Sequence, residues 1–145
     1  MLALLTEVSQ DLDASARDRE IDVRVSGDPG VSVLGDRRRI GQIVRNLLDN
    51  AIKFSPAAGR VDLEAFHDAR QPGFSVTDRG PGIPRAERDK VFQRFYQVDR
   101  SRSKTRPGSG LGLSIVKHLV HLHGGSIEIV DAPDRGARFV VRFPA

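Results

Sequence analysis

The run from Asp36 to Phe54 constrains this chain more than any other stretch. Its apolar residues recur at Ile40, Ile43, Val44, Leu47, Leu48, Ala51 and Ile52, the spacing of one helical face that must be covered. The polar side is unusual. Asn46 and Asn50 are four residues apart and Lys53 follows three later, so all three share one stripe beside the apolar face. A solvent-facing stripe is ordinarily built from Glu, Lys and Arg. A carboxamide oxygen is instead a neutral hard ligand suited to Mg²⁺, and an ammonium suits a phosphate oxygen. Read alone, the stripe fits equally well two exposed asparagines on an ordinary amphipathic helix.

Around that helix the expected order is helix, two strands, helix, two strands, a long irregular stretch, helix, two strands. Leu2, Leu5, Val8, Leu12 and Ala16 predict a helix over 1–19. Residues 21–25 alternate, 27–30 are turn chemistry, and 31–34 read as a second strand, which predicts an N-terminal hairpin. Asp36 is the expected N-cap of the Asn-bearing helix. Ser55 ends it, because the residue before Pro56 is pushed out of the helical region. Strands are expected at 60–67 and 73–77 across a turn at 68–72, and at 126–130 and 137–143 across a turn at 131–136. A third helix runs over 111–122 and stops at His123-Gly124-Gly125. Regular strand–helix alternation is missing, which argues against a doubly wound parallel sheet and for helices layered on one face of a mixed sheet.

At 145 residues the chain fits one domain, 1–145, large enough to bury a core. It has no cysteine, which excludes disulfides and thiolate metal sites. No apolar run reaches membrane-spanning length, and residues 1–5 lack the basic start of a signal peptide. A soluble, cytoplasmic-type domain is expected, with a membrane-anchored parent still compatible. The net charge of +4 is unevenly spread: Arg94, Arg100, Arg102, Lys104 and Arg106 face the single acid Asp99. Such a cluster fits a nucleic-acid footprint, a funnel for nucleotide phosphates, or a solvated loop. No helix-turn-helix, zinc-finger or ribonucleoprotein signature accompanies it, so nucleic acid is disfavoured.

Two glycine-rich motifs could carry chemistry. Asp78-Arg79-Gly80-Pro81-Gly82-Ile83 directly follows an expected strand; a carboxylate there can accept from an exocyclic amine, and the glycines let backbone approach a flat ring. A Gly-Pro surface turn explains the same residues. Gly108-Ser109-Gly110-Leu111-Gly112-Leu113 opens the third helix, where free amides and the helix dipole attract phosphate oxygens. It lacks the Gly-Lys-Ser/Thr of a Walker loop. It also lacks the third glycine or alanine of the dinucleotide fingerprint. His118, His121 and His123 are read as surface and capping residues, with no nearby acid to complete a ligand set. Ser114 lacks the flanking glycines of a nucleophile elbow.

Taken together, these stretches resemble the ATP-binding catalytic domain of two-component sensor histidine kinases, within the gyrase, Hsp90, histidine kinase and MutL superfamily. Residues 46–55 look like the N box, 78–83 like the first Gly box, 91–96 (Val-Phe-Gln-Arg-Phe-Tyr) like the F box, and 108–113 like the second Gly box, in the family's order. The resemblance implies a Bergerat-type α/β fold, an α+β two-layer sandwich: a mixed five-stranded sheet covered on one face by three helices, with the N-terminal hairpin and a long ATP lid at about 94–109. It implies ATP and Mg²⁺ as ligands. Asn50 would coordinate the metal with Asn46 assisting, Lys53 would reach the phosphates, and Phe54 would line the adenine pocket. Asp78 would take the adenine amino group, Gly80 and Gly82 would shape that wall, and Ile83, Phe92 and Tyr96 would border the nucleotide. Gly108, Ser109, Gly110, Leu111, Gly112 and Leu113 would meet the phosphates, and Lys104 and Arg106 would neutralise the terminal one.

Two departures qualify the resemblance. Gly136-Ala137-Arg138-Phe139 lacks the Ser or Thr that often follows this glycine in the family, which puts one adenine-side hydrogen bond in doubt. No phosphoacceptor is present either: His67-Asp68-Ala69-Arg70 is the only His-acid pair, and it continues into Gln71-Pro72. The implied γ-phosphoryl acceptor is therefore a histidine on a separate dimerisation domain, with relay to a response-regulator aspartate. The chain alone is expected to bind nucleotide but hardly to autophosphorylate. A stand-alone serine kinase of the same fold, of the anti-sigma type, is the alternative, against which the aromatic F box and the long basic lid count.

Overall fold

The computed structural model describes residues 1–96 and 111–145. The chain forms α1 (Leu2–Asp11), α2 (Asp13–Asp18), β1 (Asp22–Gly27), α3 (Arg37–Phe54), β2 (Arg60–Asp68) and β3 (Gln71–Thr77). Two short 3₁₀ turns follow, Arg85–Glu87 and Lys90–Phe92, then α4 (Gly112–Leu122), β4 (Ser126–Asp131) and β5 (Ala137–Arg142). The five strands make one mixed sheet in the order β1-β2-β3-β5-β4. All neighbours are antiparallel except β1 and β2, which run parallel from Asp22↔Arg60 to Gly27↔Ala65.

The helix that anchored the sequence reading forms as expected. All seven residues of its apolar stripe are buried, and the Asp36 carboxylate caps it by accepting from the Arg38 and Arg39 amides at 2.9 and 3.3 Å. Ser55 adopts an extended conformation before Pro56 and stops it. Its face joins Leu5 and Val8 of α1, Val116 and Val120 of α4, and Val61, Leu63, Phe74, Val76, Phe139 and Val141 of the sheet in one buried core. The other sheet face is polar: Arg142 pairs with Asp68 and Glu128 at 2.8 and 2.7 Å, and Arg138 reaches Ser75 and Glu64. One apolar and one charged face make the two-layer arrangement.

Two expectations fail here. The N-terminal hairpin does not form. Gly27 at φ +124° turns the chain out of β1, Asp28 closes a turn by accepting from the Gly30 amide at 2.7 Å, and Val31 drops into the core instead of pairing. The Val31 carbonyl accepts from the Met1 ammonium at 2.9 Å. β1 instead reaches its partner β2 through α3, because parallel neighbours need a crossover that no tight turn supplies. The second correction is the first helix, which breaks at Leu12 (φ −99°, ψ 10°) into α1 and α2, so that four α-helices stand among the described residues in place of the expected three. The turn after β2 is also tighter than expected. Ala69 and Arg70 both have positive φ, as a two-residue hairpin requires, and β3 begins at Gln71.

Candidate functional site

The end of α3 and the loop after β3 meet directly. A Cβ added at Gly80 would lie 2.5 Å from the Phe54 carbonyl oxygen, so only glycine lets the Asp78 loop rest on the last turn of α3. Asp78 itself is 5% exposed. Its Oδ1 accepts from the Gly80 amide at 2.9 Å and from the Ala137 amide at 3.1 Å, and its own amide donates to the Ala137 carbonyl at 3.0 Å. Oδ2 takes no hydrogen bond from the described residues. Burial pushes the Asp78 carboxyl above its ordinary value, opposed by the two amides and the nearby Arg79 guanidinium. The result is a desolvated carboxylate with one oxygen occupied and one available.

The turn expected at 131–136 forms, but its contact with Asp78 is not legible in the sequence. Gly136 has φ +112°, and a Cβ there would stand 2.2 Å from the Asp78 carbonyl oxygen. Ala137 offers no side-chain hydroxyl, and its backbone amide is what holds Asp78. Nothing local to Asp78 signals this, because its partner is far along the chain. Arg79 and Arg88 were missed for the same reason. Arg79 donates to Asp62 at 2.8 Å behind the loop, and Arg88 donates to the Ile83 carbonyl at 3.0 Å while pairing with Asp131 on β4.

The described residues expected at the phosphates are loosely held. Asn46 donates to the Gly112 carbonyl at 3.5 Å, which sets the middle of α3 against the start of α4. Asn50 is half-buried, and its side chain has no hydrogen-bond partner among the described residues. Lys53 pairs with Asp49 at 3.0 Å, both side chains about two-fifths exposed. Phe54 is exposed, and Ile83, Leu111 and Leu113 are half-buried. A Cβ at Gly112 would meet nothing within 4 Å, so packing among the described residues does not account for this glycine.

The aromatic patch is pinned from below. Phe92 packs edge-on against Phe139 at 6.4 Å with the Lys117 ammonium 5.3 Å from its centroid, and the Tyr96 hydroxyl donates to Glu87 at 2.5 Å. Lys104, Arg106, Gly108, Ser109 and Gly110 lie outside the described residues, as does the expected lid beyond Tyr96. A shallow depression of about 360 Å³ between α1, α2 and β1, bordered by Ser9, Asp13 and Val23, contains none of the expected site residues.

The end of α3 and the Asp78 loop therefore meet at one corner of the fold, and a family match covers them. Residues 35–145 match the family described as histidine kinase-, DNA gyrase B- and HSP90-like ATPase. The chain belongs to this family. It is 37% identical over 131 residues to the sensor-like histidine kinase SenX3 of Mycobacterium tuberculosis, covering 90% of this chain and 32% of SenX3. It is 38% identical over 147 residues to the sensor histidine kinase TmoS of Ectopseudomonas mendocina, covering 99% of this chain and 15% of TmoS. The chain thus spans a third or less of these curated relatives. Among solved structures, the mycobacterial sensor histidine kinase MprB superposes with a TM-score of 0.83 at 40% identity, over 96% of this chain and 94% of MprB's. The catalytic domain of histidine kinase ThkA gives 0.84 at 29% identity, over 98% and 90%. This is an ATP-binding catalytic domain of the histidine kinase type, in fold and in family. The serine-kinase alternative finds no support among these relatives. No helix among the described residues is long and apolar enough to cross a membrane.

Proposed function

We propose that this domain binds Mg²⁺-ATP with the base against Asp78 and the phosphates between α3 and the start of α4, and serves as the phosphoryl donor of a sensor kinase. The observation that carries the reading is Asp78: a buried carboxylate whose Oδ1 is taken by two amides and whose Oδ2 takes none from the described residues. An exocyclic amine satisfies such an oxygen, and a desolvated charged acceptor discriminates strongly for a donor. Phe54, Ile83, Phe92 and Tyr96 border the base in this reading.

Asn50, with Asn46 one turn earlier, would hold the metal. Two neutral carboxamides suit Mg²⁺, which usually keeps waters and takes further oxygens from nucleotide phosphates. When bound, the ion supplies charge neutralisation on the β- and γ-phosphates. Lys53 can exchange Asp49 for a phosphate oxygen at small cost, since a half-exposed ion pair contributes little. The open space over Gly112 would let phosphate oxygens approach the first turn of α4, where Leu111, Gly112 and Leu113 stand. Gly108, Ser109 and Gly110 would extend that cradle, and Lys104 and Arg106 would neutralise the terminal phosphate in the transition state.

The acceptor would be a histidine of a dimerisation domain: its imidazole nitrogen bonds to the γ-phosphorus as the bond to the bridging oxygen breaks and ADP leaves. A response-regulator aspartate would then take the phosphoryl group, in a parent protein either cytoplasmic or membrane-anchored. Calorimetry with Mg²⁺-ATP tests the site: Asn50→Ala and Asp78→Asn should both lose affinity, and unchanged binding in both would sink the assignment. Mixing the domain with a histidine-bearing dimerisation domain and γ-labelled ATP should give an acid-labile, base-stable phosphoprotein.

A further inference from the structure

The far end of α4 carries a residue that nucleotide binding does not use. His123 Nδ1 lies 2.8 Å from the Leu119 carbonyl oxygen in its own helix, and Nε2 accepts from the Asp36 backbone amide at 3.3 Å, at the N-cap of α3. A carbonyl only accepts and an amide only donates, so these contacts select the neutral tautomer with its proton on Nδ1. The ring is closely seated. A Cβ added at Gly35 would lie 2.6 Å from His123 Cδ2, and the Phe143 ring stands edge-on at 6.4 Å. At the opposite end of the same helix pair, Asn46 meets the Gly112 carbonyl. The two tie points are roughly 15 Å apart along each helix at 1.5 Å per residue.

We propose that His123 is a positioning residue for the nucleotide cleft: its neutral imidazole ties the end of α4 to the cap of α3 and so holds the first turn of α4 in register with Asn46 and Asn50. The Asp36 carboxylate caps its own helix through Oδ1, accepting from the Arg38 and Arg39 amides, which leaves the Asp36 backbone amide as the group the ring holds. Val44 and Leu47 belong to the same buried core as Val116 and Val120, so loss of the tie shifts α4 without separating the helices. The functional consequence rests on the nucleotide reading above; the tie itself does not.

The test compares wild type, His123→Gln and His123→Asn at about pH 8 by NMR and calorimetry, where an imidazole is neutral. The Gln carboxamide reaches the Nε2 position and can still accept from the Asp36 amide, whereas the shorter Asn places no acceptor there. The Asp36 backbone amide and the Asn46 side-chain amide resonances should both move in His123→Asn, and the Asp36 amide should stay near its wild-type position in His123→Gln. Mg²⁺-ATP affinity should be about threefold weaker in His123→Asn and near wild type in His123→Gln, as one net hydrogen bond allows. An Asp36 amide unmoved in His123→Asn overturns the tie. Equal affinities in all three proteins overturn the positioning role. Failure of wild type to bind nucleotide overturns the nucleotide reading, while the Asp36 resonance still decides the tie.

Discussion

On the side of the proposed cleft assigned to the base, Asp78 is gripped by two amides, its loop lies on the Phe54 carbonyl, and Gly136 fits against its backbone with no room for a side chain. On the side assigned to the phosphates, the Asn50 side chain has no partner among the described residues, Asn46 makes one contact at 3.5 Å, and Lys53 sits in a half-exposed ion pair. The difference follows from what each side would bind. A flat base needs a rigid wall with one acceptor in a fixed place, so the protein satisfies everything around that acceptor itself. A hydrated metal and a polyphosphate bring their own oxygens and charge, so the protein can leave polar groups free until they arrive. Substitutions on the base side should therefore damage the fold or separate stability from binding, and those on the phosphate side should affect binding alone.

The largest effect is expected at Gly136→Ala, where a left-handed backbone angle and a backbone contact at 2.2 Å coincide. It should lose more than about 3 kcal/mol in urea unfolding, if it folds at all. Asp78→Asn comes next and should pull the two properties apart. The carboxamide oxygen can still accept from Gly80 and Ala137, while its NH₂ turns a donor toward the base, so calorimetry should show affinity for Mg²⁺-ATP down about 100-fold. Stability should move the other way. Burial raises the Asp78 carboxyl above 3.8, so the folded chain binds more protons than the unfolded chain between 3.8 and the raised value. Wild type should then lose stability relative to Asp78→Asn as pH rises through that window, with a constant difference above it. A wild type that gains on the variant over the same rise would contradict the desolvated carboxylate.

Asn50→Ala should reduce Mg²⁺-dependent nucleotide affinity about tenfold, with thermal stability within about 0.5 kcal/mol of wild type. A large stability loss would mean that Asn50 is structural and would erase the contrast between the walls. The smallest effect is expected for Lys53→Ala: a few-fold loss of ATP affinity, little loss for adenosine, and a stability change of about 0.5 kcal/mol or less, since its ion pair is exposed. Equal losses for ATP and adenosine would remove Lys53 from the phosphates.

What could be read from the sequence was what short-range periodicity and glycine placement encode. The stripe from Ile40 to Ile52, its Asp36 cap and its Ser55 stop all form where spacing and propensity put them. The loop from Asp78 to Ile83 and the start of α4 at Gly112 likewise announced themselves through glycine after a strand and before a helix. The misreadings share one physical cause, which is that the deciding partner is remote. Residues 31–34 have β-forming composition, but Val31 is claimed by the core, and β1 finds β2 across the whole length of α3. The Ala137 amide that holds Asp78 comes from the last strand, and no local pattern could have paired them. Leu12 continues the apolar stripe, yet the helix turns there so that Ala16 can be buried and Ile21 can lead into β1.

The parallel pairing of β1 with β2 has a consequence for how the molecule assembles. The strands are joined through α3, so their register cannot form by the zippering of a hairpin; it must wait until the helix has been laid down between them. The element that would carry the metal ligands is thus also the closure on which the edge of the sheet depends. In stopped-flow refolding, substitutions in the buried stripe of α3 should slow folding, whereas substitutions in β1 should mainly speed unfolding. That outcome would place the formation of α3 before the completion of the sheet.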